Sequence, residues 1–175
     1  MDYIIQPTDK YITFTQFKNG PFDINKIETN LTSVSFLNKP KTAFWGSPLN
    51  SEYGWEWWCK SNDFRDLSSG DRVIWTLTPN SKIFRVDLED VFTRKSKHLL
   101  KYCNKEMTDC SSLITYYIDF NKMLSDGYVA VELMNCSIGH IFRNDLERSF
   151  YAWDCESIVV LDPSRLIVLS IESTY

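Results

Sequence analysis

The run SIVVL at residues 157–161 constrains this chain most. It is almost wholly apolar and is followed at once by Asp162-Pro163, which predicts a central strand covered on both faces. Other segments supply its neighbours. Residues 11–17, YITFTQF, alternate and are rich in β-formers, so they predict a strand. Residues 42–45 form a short apolar strand. Residues 72–77 and 83–88 read as a hairpin around Thr78, Pro79, Asn80 and Ser81. Residues 128–133 read as a buried strand and 166–171 as the last one.

Helical signals lie between these runs. Residues 18–40, with Gly20, Pro21 and Pro40, read as a loop holding one short helix near 24–29. Ser47-Pro48 is a good helix start, since the hydroxyl caps free amides and Pro fits the first turn. That helix is expected to reach about Lys60, with Tyr53 and Trp57 on one face. Residues 89–102 look helical. Ser111 or Ser112 is placed to cap a helix through Leu124 that stops at Asp126-Gly127, and 138–150 suits a third. About six strands with interspersed helices, but no regular βαβ rhythm, predict an α+β fold in one domain over 1–175. No G-x-G-x-x-G or G-x-x-x-x-G-K loop occurs.

Composition narrows the function. Net charge is −4 and the pI about 5.2, against the basic face that a nucleic-acid binder uses to displace counterions. The one basic run, Arg94, Lys95, Lys97, His98 and Lys101, mixes with Leu99 and Leu100 and reads as a solvated helix face. No stretch of 18 apolar residues occurs, and Met1 to Lys10 carries Asp2, Gln6 and Asp9 rather than a signal peptide. A cytoplasmic protein with no membrane partner is expected, its five cysteines free thiols. Cys136 and His140 stand four apart, but two ligands do not make a zinc site. Neither His98 nor His140 has a motif supporting a catalytic dyad. Aromatics reach 15%, six of them Trp, enough to fill a core or to line a cleft where flat ligands stack.

Taken in order, four segments resemble an ADP-ribosyltransferase domain: YITFTQF, TAFWGSP with its aromatic helix, DRVIWTLTPNSKIFRVD, and IDFNKMLSDGYVAVEL followed by WDCESIVVLDPSRL. The resemblance spans about residues 11–171. It implies a split β-sheet core with flanking helices, NAD as substrate, and a macromolecular acceptor, protein before nucleic acid. Small stand-alone members are often bacterial or phage effectors, acting as toxins or in anti-defence. The resemblance carries roles onto particular residues. The family's first-strand His or Arg falls near Thr13 or Thr15. Ser47 fits the second-block Ser, with Phe44 or Trp45 beside it, and Tyr53 fits the helix aromatic over nicotinamide. Counting back from Asp162-Pro163, the family's Glu falls on Ser157. Glu156 is one residue early, a position that a bulge at 155–156 would restore, and Glu132 in VAVEL is the other acid. Glu156 is the expected catalytic carboxylate. The alternative is an inactive binding or inhibitor protein on the same fold.

Overall fold

The computed structural model describes residues 1–15, 21–34, 38–88, 97–107, 114–136, 146, 150 and 152–174. The chain begins with β1 (Asp2–Ile4), β2 (Tyr11–Phe14) and a 3-10 turn, Ile24–Lys26. It continues through β3 (Asn30–Val34), β4 (Lys39–Thr42), β5 (Phe44–Pro48) and α1 (Trp55–Ser61). Next come β6 (Gly70–Leu77), β7 (Lys82–Asp87), α2 (Lys97–Leu100), β8 (Cys103–Met107) and β9 (Ile114–Ile118). The last elements are α3 (Phe120–Ser125), β10 (Ala130–Met134), β11 (Ser157–Val160) and β12 (Leu166–Thr174). The protein is thus α+β, dominated by strands.

The predicted central strand is central. β11 is buried throughout and runs antiparallel to β10 on one side and β5 on the other. The full sheet has eight strands in the order β1-β7-β10-β11-β5-β2-β6-β12. Among the described strands only β7 and β10 pair in parallel.

The expected hairpin of 72–77 with 83–88 does not form. The turn between them is real: Asn80 takes a positive φ and the Ser81 amide donates to Thr78 O at 3.1 Å. Its two strands, however, stand near opposite ends of the sheet. β6 is paired by β2 and β12, and β7 by β1 and β10. Four residues can link strands so far apart in the order only because the sheet curls. Burial drives the curl. Val73, Trp75 and Leu77 of β6 point inward to meet Ile83, Ala130, Ile158 and Val160 in one cluster. Each fully buried side chain of this size contributes about 1.5–3 kcal/mol, so closing the curl outweighs a local hairpin. A second core covers the outer face, where Phe84, Val131, Leu133 and Val159 pack on Phe120 and Met123 of α3.

Other expectations shift. β2 ends at Phe14; residues 16–20 lie outside the described residues. The 18–40 segment has its short helix, a 3-10 turn capped by the Asp23 carboxylate on the Asn25 amide. It also forms an unforeseen hairpin of β3 with β4. Ser47 and Pro48 end a strand, and the helix waits until Trp55. The helix expected through Leu124 is shorter. ITYYI, rich in β-branched and aromatic residues, pairs with β8 as β9, and α3 starts after the Asp119 cap. Gly127, at φ 87, stops it as expected. Of the 89–102 helix only α2 is described. Arg94, Lys95, Cys110, Ser111, Ser112 and His140, and all of the 138–150 helix but residues 146 and 150, lie outside the described residues. Cys59, Cys103, Cys136 and Cys155 are free thiols. Among the described residues, no helix is long and apolar enough to cross a membrane, and no group of metal-ligating side chains occurs.

Candidate functional site

β2 lies against β5, with Ile12 opposite Ser47, and β5 lies against β11, with Trp45 opposite Val159. The three strands adjoin, and a cleft of about 540 Å³ opens beside them. Thr13, Thr15, Phe44, Trp45 and Ser47 line it, joined by Phe22, Trp55, Arg65 and the stretch Trp153, Asp154, Cys155. Tyr53 and Glu156 are not among the lining residues.

Aromatic packing sets the walls. Trp45 meets Trp153 edge to face at 4.8 Å, and Trp55 stacks on Trp58 at 5.1 Å with 12° between planes. Phe44 packs between Trp75 and Phe22. The floor depends on Gly46, where a Cβ would stand 2.6 Å from the Trp75 ring and 2.9 Å from Ile12 O. That approach brings the Trp75 indole N–H within 2.9 Å of the Thr13 hydroxyl, which itself donates to Trp45 O at 2.5 Å. Thr13 is therefore committed to the scaffold. The Thr15 hydroxyl accepts the Asp71 amide at 3.2 Å and keeps its own proton for a ligand.

Ser47 is buried, and its hydroxyl accepts the Trp55 amide at 2.8 Å. It does cap the aromatic helix, across space rather than from the preceding residue. Tyr53 packs its ring on Trp57 at 5.3 Å, and its carbonyl accepts the Glu156 amide. Cys155 and Ser157 both line the cleft, whereas Glu156 between them, in the bend before β11, does not. β11 pairs with β10 and β5 without a register shift, and the bulge considered for 155–156 would lie before its first paired residue. The Glu156 carboxylate accepts the Ser51 hydroxyl at 2.5 Å on one oxygen and the Asn135 amide at 2.9 Å on the other.

Glu132 is buried in the sheet, where Arg85 Nε donates to it at 2.6 Å. Burial raises its pKa and the Arg85 charge opposes that rise. It does not line the cleft. Asp71, which holds the Phe22 wall through that residue's amide at 2.8 Å, has its pKa lowered first by the Ser173 hydroxyl and then by the Phe22 amide. Burial pushes the Cys155 thiol up to about 12, so the cleft offers no thiolate at neutral pH.

Sequence reasoning missed Trp55, Trp153, Asp154 and Arg65. The WEWWC run holds a signal for Trp55: once the helix begins there, Trp55 and Trp58 fall three apart on one face. The other three sit in irregular chain with no local pattern to mark them. Comparison of the chain with known protein families, with curated proteins and with solved structures finds no match. The site is therefore read from its own geometry: an aromatic-walled cleft beside three adjoining strands of a curled sheet.

Proposed function

We propose that the chain is an NAD-dependent mono-ADP-ribosyltransferase acting on a macromolecular acceptor, a protein before a nucleic acid, in the cytosol of a bacterial cell or phage-infected host. On this reading the curled sheet is the split core of the ADP-ribosyltransferase fold. The observation that carries it is the convergence of Thr13, Thr15, Phe44, Trp45 and Ser47, from distant parts of the sequence, on one aromatic cleft. Its volume of about 540 Å³ lies within the range of small-molecule sites. Rings such as Trp55 and Trp153 supply stacking surface for nicotinamide or adenine. In the reaction the bond between ribose and nicotinamide breaks, nicotinamide leaves with the bonding electrons, and the acceptor nucleophile attacks the cation-like ribose carbon. A carboxylate is needed to stabilise that charge. Glu156 is the assigned group, and because it does not line the cleft, transfer requires its side chain to turn in.

A second reading, nucleotide binding without turnover, is favoured by one observation. Both Glu156 oxygens already accept hydrogen bonds, from Ser51 and Asn135. Turnover requires the Ser51 contact to open. Incubation with NAD separates the two readings: free nicotinamide supports transfer chemistry, and saturable NAD binding without it supports the binding protein.

A further inference from the structure

Arg65 lines the cleft without an acid partner among the described residues. The other cleft cations are paired, Lys26 with Asp23 at 3.8 Å and Lys39 with Asp154 at 3.7 Å. In the side groove that Arg65 also lines, Lys60 meets Glu56 and Arg72 meets Glu172, each at 2.7 Å. Arg65 Nε is shut off from water and has no hydrogen-bond partner among the described residues. Its neighbour Asp66 does not serve it, because that carboxylate turns back onto the Ser68 amide at 2.8 Å and hydroxyl at 2.7 Å. A buried guanidinium N–H without an acceptor costs free energy, and native chains rarely leave one so.

We propose that Arg65 is the anion-binding group of the cleft and takes a phosphate of a nucleotide whose ring system rests on the aromatic wall. The guanidinium fork matches phosphate oxygens in pairs. The same cleft holds Trp55 and Trp153 for a flat ring. Neither Thr13 on β2 nor Thr15 just after it can neutralise phosphate, and Arg65 supplies that charge from the segment after α1. The inference rests on reading the cleft as a nucleotide site and does not require that NAD be cleaved.

The test is calorimetric titration of the full chain with ADP and with adenosine, for wild type, Arg65→Met and Arg65→Lys, with melting temperatures alongside. Wild type is expected to bind ADP more tightly than adenosine. Arg65→Met should weaken ADP at least tenfold and leave adenosine unchanged, and Arg65→Lys should recover part of the loss. Equal ADP affinity in wild type and Arg65→Met overturns the assignment, as does wild type that binds no ADP. Should Arg65→Met melt early, Arg65→Lys decides: full ADP affinity with adenosine also unchanged would remove the need for a fork and contradict the proposal. Nicotinamide release from NAD is scored separately, so Arg65-dependent ADP binding without release sinks the transfer reading alone.

Discussion

The Ser47 hydroxyl accepts the amide hydrogen of Trp55 at 2.8 Å, across eight positions of sequence. A strand end thereby fixes the start of the helix whose first residue walls the cleft. Ser47→Ala is expected to lower stability by about 1 kcal/mol, the usual worth of a helix cap, and to leave NAD affinity unchanged. Chemical denaturation and a binding titration on the same samples check both halves.

Gly46 has no room for a side chain, with the Trp75 ring 2.6 Å and Ile12 O 2.9 Å from where its Cβ would stand. Backbone cannot swing aside as a flexible side chain can. Gly46→Ala should cost about 1–3 kcal/mol through overpacking and also weaken ligand binding, because the cleft floor shifts. An unchanged melting temperature contradicts this packing.

Glu132 and Arg85 form a pair in which the acid is almost wholly buried and the Arg side chain is 25% exposed. Removing one partner of a buried pair strands the other charge. Glu132→Ala should cost about 3 kcal/mol, the low end of the usual range, since Arg85 keeps some contact with water. Ligand affinity should stay as in wild type when measured where both proteins are folded. A large loss of affinity with little loss of stability would return Glu132 to the site.

Asp71 ties the cleft wall at Phe22 to β12 through Ser173. Its pKa lies below the ordinary 3.8. A depressed carboxyl pKa contributes stability above the unfolded value, and that stability is lost as pH falls toward the folded value. Melting temperature should therefore fall below about pH 4, and Asp71→Asn should flatten that fall. Parallel acid slopes for the two proteins would contradict the linkage.

Much of the sheet was legible because burial leaves its period in the sequence. SIVVL announced β11, and the alternation of YITFTQF announced β2. Phe44, Trp45 and Ser47, which the resemblance singles out, lie on β5 between those strands and line the cleft. Pairing was less legible. The turn at 78–81 has hairpin chemistry, yet β6 and β7 find other partners, and Trp75 and Ile83 end fully buried in one cluster inside the curl. ITYYI fits helix and strand spacing alike, and its antiparallel pairing with the preceding strand β8 decides. Arg65 carries no local sign at all; its role rests on what fails to pair with it in three dimensions.

Glu156 carries the central claim, and single-turnover nicotinamide release from NAD tests it most directly. Placing a carboxylate against a cation-like ribose is commonly worth about 3–4 kcal/mol in the barrier. Wild type is predicted to release nicotinamide, and Glu156→Gln to do so about two to three orders of magnitude more slowly while NAD still binds. Equal release rates for the two proteins, or no release from wild type, would contradict the account.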